Sequence, residues 1–219
     1  VTAQGSSTGA GIGGGNGGDA SNITIAGGTV TAQGSSTGAG IGGGNGGNGS
    51  NIEISGGTVT ATGGQSSAGI GGGFEGDGSN IEISGGTVTA KGTNYGAGIG
   101  GGSRGNGSDI EISGGSVTAI GGIKGGAGIG GGNNGHNVPA PRLKGDGYNI
   151  KITGGTVVAT GGQHGAGIGG GWHGKGSNFT VSGDARVKTQ GGKGNYSDGK
   201  GACMGNGGYC EYRLNTCTD

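Results

Sequence analysis

The chain has 219 residues, room for one or two domains; 72 are glycine, 27% are hydrophobic and 11% are charged. Lysine plus arginine (12) equals aspartate plus glutamate (12), which argues against nucleic acid or a membrane surface as an electrostatic partner. No apolar run reaches membrane-spanning length, and 2 prolines with no glycine at every third residue exclude collagen.

Glycine at this frequency also suggests disorder, because it loses the most backbone freedom on folding. The internal period argues otherwise. Aligned on the valine of TVTA, the chain repeats at Val1, Val30, Val59, Val88, Val117, Val157 and Val187. A second rank runs Ile12, Ile41, Ile70, Ile99, Ile129 and Ile168, and a third runs Ile25, Ile54, Ile83, Ile112, Ile152 and Val181. The long step between Val117 and Val157 holds one extra residue near Ile123 and an insertion at about 134–144, with Pro139 and Pro141. All ranks resume beyond it, so it is a loop thrown out from a continuous stack.

Three short segments are predicted in each coil: N-I-E-I (51–54), T-V-T-A (58–61) and G-A-G-I-G (38–42). Each alternates with period two, the mark of a half-buried strand. Inward positions are Ile52 and Ile54, Val59 and Ala61, and Ala39 and Ile41. Gly56-Gly57 and its equivalents lie where the chain must turn with positive φ. A helix reading fails, since nothing recurs at 3.6 residues. One coil cannot bury its few apolar side chains, but stacked coils can. The expectation is an all-β, right-handed parallel β-helix of about seven coils of 29–30 residues, with three short strands per coil. At roughly 4.8 Å per coil the rod would be about 34 Å long.

The unit GGTVTAxGGxxGAGIGGGxxGxGSNIxISGG resembles the glycine-rich β-helix arrays of secreted or wall-anchored Gram-positive bacterial surface proteins, some of them carbohydrate-binding-domain proteins. The resemblance covers residues 1–205. It implies an extracellular or cell-surface setting and a role in adhesion or glycan binding, and it brings no active-site residues.

The chain starts in mid-repeat at Val1, as a fragment or a processed chain would. Residues 206–219 read as a C-terminal cap over the open end of the stack. Met204 stands in the isoleucine rank. Three cysteines occur, Cys203, Cys210 and Cys217. The arithmetic suggests one bridge and one leftover thiol, with Cys210–Cys217 the preferred bridge. A zinc site lacks a fourth ligand, and no cofactor is expected.

Stacking turns every repeated outward residue into a column. Thr29 and Thr31, Thr58 and Thr60, Thr87 and Thr89, and Ser116 and Thr118 form a double row of hydroxyls that resembles the flat faces of ice-binding β-solenoids. Threonine also simply suits exposed strands, and the rows decay at Val158 and Lys188. Glu53, Glu82 and Glu111 share a column with Lys151, where like charges repel unless a cation or the lysine intervenes. Gly14–Asp19 matches GGxGxD once, a poor case for calcium when the next coil carries Asn48. Asn22, Asn51, Asn80, Asp109, Asn149 and Asn178 fall at one predicted turn, where stacked amides bond along the axis. Asn-x-Ser/Thr triplets at Asn22, Asn48, Asn106, Asn178 and Asn195 are by-products of the repeat.

Gly38, Gly40 and Gly42 read as a bare outward face, suited to packing against a second copy or to answering a tight cross-section. Variable turns after GGG carry Phe74, Ser103-Arg104, Asn133-Asn134 and Trp172-His173, with Tyr95 and His164 in a neighbouring turn. Exposed aromatics there would stack on sugar rings, so Trp172, His173, Phe74, Tyr95 and His164 are the candidate ligand contacts. Pectinolytic enzymes share the β-helix, but the only clustered acids form a regular ladder without acid/base differentiation. The reading is a non-enzymatic extracellular structural or adhesive module, glycan-binding and self-associating. An ice-binding protein and a polysaccharide lyase or hydrolase are the alternatives.

Overall fold

Three parallel strand segments wind through each coil of the computed structural model, which describes residues 1–134, 145–194 and 201–206. Like segments hydrogen-bond to like segments one coil away, giving two seven-stranded sheets and one six-stranded sheet. The result is a right-handed parallel β-solenoid of about six turns, without a helix among the described residues. Seven strands at roughly 4.8 Å spacing make about 29 Å from first to last.

The threonine sheet holds Thr29–Gln33, Thr58–Thr62, Thr87–Lys91 and their equivalents, as anticipated for T-V-T-A. The glycine sheet is built from two-residue strands, Ile41–Gly42, Ile70–Gly71, Ile99–Gly100 and so on. The asparagine sheet holds six-residue strands such as Gly49–Ile54, Gly78–Ile83 and Gly107–Ile112. Register is unbroken: Val59 pairs with Val88 and Val88 with Val117, and Ile81 with Ile110. Gly107–Ile112 pairs directly with Gly147–Ile152, so the stack continues across the insertion. Residues 135–144 lie outside the described set.

The core is a set of axial columns. Ile52, Ile54, Val59, Ala61, Ile41 and their repeats in the interior coils are sealed from solvent. Each isoleucine sits on its equivalent in the next coil, so removal of apolar surface from water is shared between neighbours. End coils lack one neighbour, and Ile12, Ile23, Phe179 and Met204 are accordingly only partly buried. Met204 stands over Ile168, the rank its sequence position predicts.

The bend at Gly57 has φ 87°, repeated at 86, 115 and 155, as the Gly-Gly pairs foretold. The asparagine column departs from expectation. Asn22, Asn51, Asn80, Asp109, Asn149 and Asn178 interrupt a strand instead of joining two, with φ between 49° and 57°. Asparagine and aspartate tolerate this left-handed region best among residues with a side chain.

The bare glycine face is corrected. Gly38, Gly40 and Gly42 are all buried. A Cβ on Gly40 would lie 2.6 Å from Gly69 O and 2.7 Å from Thr62 N, and one on Gly42, at φ 135°, would overlap Gly71 O. The coil is so narrow that backbone packs on backbone there, leaving no open surface for a second copy. The expectation of self-association through these glycines loses its basis.

Cys203 is disulfide-bonded. The expected Cys210–Cys217 bridge and residues 207–219 of the expected cap lie outside the described residues. Asn206 belongs to the solenoid, since its Oδ1 accepts from Gly176 N at 2.8 Å.

Candidate functional site

The left-handed kink re-aims each strand of the asparagine sheet and sets two outward columns beside each other. The first is the asparagine column. Asn51 Nδ2 donates to Asn22 Oδ1 (3.5 Å), Asn80 to Asn51 (3.3 Å), Asn149 to Asp109 (2.9 Å) and Asn178 to Asn149 (2.6 Å). The second column, two residues along, reads Thr24, Glu53, Glu82, Glu111, Lys151 and Thr180 in continuous register.

Between and over these columns runs a groove of 670 Å³ that crosses all six strands of the sheet. Ile52, Ile81, Ile110 and Ile150 also line it. Their side chains are buried in the core, so what they offer the groove is backbone. The lining holds four carboxylates (Glu53, Glu82, Asp109 and Glu111) and one ammonium (Lys151), a net charge of −3. Lys151 Nζ meets Glu111 Oε1 at 2.9 Å. Glu53 and Glu82 have no ion-pair partner among the described residues. The groove therefore presents an amide that donates and accepts in every coil but that of Asp109, and beside it Glu53 and Glu82, which only accept, in the coils of Asn51 and Asn80.

A further ladder stiffens the neighbouring turn. Asp19 Oδ1 accepts from Asn48 N (2.7 Å), Asn48 Oδ1 from Asp77 N (2.8 Å), Asp77 Oδ1 from Asn106 N (2.8 Å) and Asp146 Oδ1 from Lys175 N (2.7 Å). Carboxylate and amide alternate, so the position selects an acceptor oxygen and not a charge. This accounts for the aspartate of the GGxGxD match. Among the described residues no group of three or more His, Cys, Asp or Glu is placed to hold a metal.

The sequence-selected aromatics lie on a different edge, where two turn columns hydrogen-bond side by side. Phe74 N donates to Thr37 O (3.0 Å), Asn133 N to Tyr95 O (2.7 Å) and Trp172 N to Gly125 O (2.7 Å). Trp172 and His164 are not the exposed platform anticipated: they are 9% and 2% exposed. The indole is sandwiched between two imidazoles, with centroids 4.6 Å from His164 and 5.1 Å from exposed His173. Phe74 and Tyr95 are half-buried, and each is capped from the next coil. Arg104 stands 5.9 Å from the Phe74 ring and pairs with Glu75 at 2.8 Å, while Lys124 stands 5.1 Å from the Tyr95 ring. This edge brings the aromatics together along the axis but spends most of their faces on one another and on cations.

The threonine columns stand in the expected register: Thr29, Thr58 and Thr87 in one, Thr31, Thr60 and Thr89 in the next. Most are exposed; Thr89 and Thr118 are half-buried. The columns end at Arg186, Val158 and Lys188.

Sequence reasoning had both groove columns but not the groove. The available signal was the restriction of one position to asparagine or aspartate in six coils, which points to a left-handed residue.

The fold and the groove together define a class: a repeat-built parallel β-solenoid with a polar channel running along its axis on one face. More specifically, the chain belongs to the beta helix repeat family, whose model matches residues 23–45, 52–74, 81–103, 110–133 and 150–172, more than half of the chain. No curated protein and no solved structure matches it.

Proposed function

We propose that this chain is a non-enzymatic, extracellular β-helix module that binds a linear glycan along its axis. The carrying observation is the groove of 670 Å³ lined by repeating asparagine and carboxylate columns. A repeating polar surface matches a repeating polar polymer, because each coil places a pair of polar side chains at the same two positions along the axis. Amides and carboxylates suit vicinal hydroxyls, which both donate and accept. The glycan site assigned to the turn aromatics moves to this groove, and His173 remains the exposed member of the other edge.

A non-catalytic role is supported by the sameness of the carboxylates. Acid/base work needs two groups in contrasting environments, whereas Glu53 and Glu82 are both exposed and repeat one setting. The disulfide at Cys203 supports an oxidising, extracellular compartment. The rigid stack suits a stalk or adhesin, which must hold its binding face at a fixed distance.

A glycan array with the whole chain tests this reading. Binding to at least one linear glycan, abolished in Asn51→Ala/Asn80→Ala but retained in Trp172→Phe, is the expected result. No binding to any glycan, or loss only in the Trp172 variant, refutes it.

Ice binding is a second reading, favoured by the in-register threonine columns on a separate face. Thermal hysteresis that disappears in Thr60→Lys would support it, and its absence in the wild-type chain removes it.

A further inference from the structure

The groove's charge narrows its ligand. Glu53, Glu82 and Asp109 occupy its central coils, and its single cation, Lys151, is already engaged with Glu111. Both ends of the carboxylate column are neutral, Thr24 and Thr180. In register, Glu53 and Glu82 stand one strand spacing apart, roughly 4.8 Å, so each raises the negative potential at the other. A polyanionic chain laid here would meet repulsion along the whole centre of the groove. A polymer carrying regularly spaced ammonium groups would relieve it.

Resting on the glycan reading above, we propose that the groove takes an extended amino-sugar polymer with free ammonium groups, its ammoniums on Glu53 and Glu82 and its hydroxyls on the asparagine column. A basic peptide fits less well. Peptide grooves offer an unpaired strand edge or apolar side-chain pockets. Here the central strands are hydrogen-bonded on both sides, and the isoleucines beneath are sealed in the core. Peptide binding is therefore one outcome the test must separate.

The test uses the whole chain in titration calorimetry at low salt and at a pH that keeps glucosamine protonated. The probes are a β-1,4-linked glucosamine hexamer, its fully N-acetylated counterpart, an oligogalacturonate and hexalysine. Expected is binding of the glucosamine hexamer, weaker or absent binding of its acetylated form, and none of the oligogalacturonate. Glu53→Gln/Glu82→Gln should weaken the hexamer by about tenfold, since each lost contact is an exposed ion pair. Asn51→Asp serves as the opposite arm. The fold already accepts aspartate at the equivalent Asp109, and the added charge should tighten binding several-fold and steepen its salt dependence. Equal affinity of wild type and both variants overturns the proposal, as does equal binding of the acetylated hexamer or tighter binding of hexalysine. If neutral or acidic glycans bind instead, the charge assignment fails while the glycan reading stands. If no glycan binds, both fail.

Discussion

Asn149 Nδ2 donates to Asp109 Oδ1 across 2.9 Å, although the two residues are 40 apart in sequence, and both hold a left-handed backbone with φ 55° and 53°. One position thus solves two problems in each coil. It tolerates the kink that hollows the outer face of the sheet, and its side chain ties the kink to the next coil. The groove and the stability of the kink rest on the same column.

That coupling predicts a graded series at Asn80. Asn80→Ala places a residue with a Cβ and no local hydrogen bond in the left-handed region, costing about 1–2 kcal/mol. Asn80→Gly removes the backbone strain and loses only the ladder bond, so it should cost less. Asn80→Asp should be near neutral, as Asp109 already stands in the column. Thermal melts followed by circular dichroism give the ranking; alanine no worse than glycine would refute the role of φ.

Two glycines separate conformation from packing. Gly71 has φ 128°, and a Cβ there would overlap Gly100 O; Gly46 has φ 74° with open space around it. Gly46→Ala should cost about 1 kcal/mol through backbone strain alone. Gly71→Ala must push adjacent coils away from each other, and the chain should fail to give a cooperative melt. Comparable melts for the two variants would contradict the backbone-on-backbone contact.

Core truncation should depend on position along the rod. Ile83 is fully buried with a neighbour on each side, and Ile83→Ala should cost about 2–5 kcal/mol. Ile12 is partly buried in the first coil, and Ile12→Ala should cost less. Denaturant titration compares them, and equal losses would argue against nearest-neighbour stacking.

The Lys151–Glu111 pair is exposed, 52% and 44% at the side chains, so its contribution is small, at most about 1 kcal/mol. Lys151→Glu goes further and lengthens the carboxylate column. Its melting point should fall at low salt and recover at high salt, whereas Lys151→Gln should shift little with salt.

Trp172 is the single tryptophan, and its burial between His164 and His173 makes it a reporter. Its emission should be blue-shifted and poorly quenched by acrylamide. His164→Ala should open one indole face and raise quenching, with little change in the far-ultraviolet spectrum.

The columns are legible in the amino-acid sequence. Ile41, Val59 and Ile54 recur at constant spacing, alternate with small or polar residues and cannot be buried by one coil alone, so stacking follows from the sequence. In-register neighbours such as Glu53 and Glu82, or Thr58 and Thr87, follow from the same period. The turn at Gly57 is legible too, because Gly-Gly between strands marks positive φ.

What lay beyond the sequence is how columns sit relative to one another around the coil. Period two says that Gly40 and Ile41 face opposite ways, but only the width of the cross-section decides whether the glycine side is open; here it closes on Thr62. Trp172 in a glycine-rich turn reads as exposed until His164, from a different turn, covers it. Asn51 and Glu53 are two residues apart in any strand, and it took the left-handed kink to make them the walls of one groove. Repetition along the axis is a one-dimensional property that a sequence carries directly. Curvature and contact around the axis depend on residues brought together only when the coil closes.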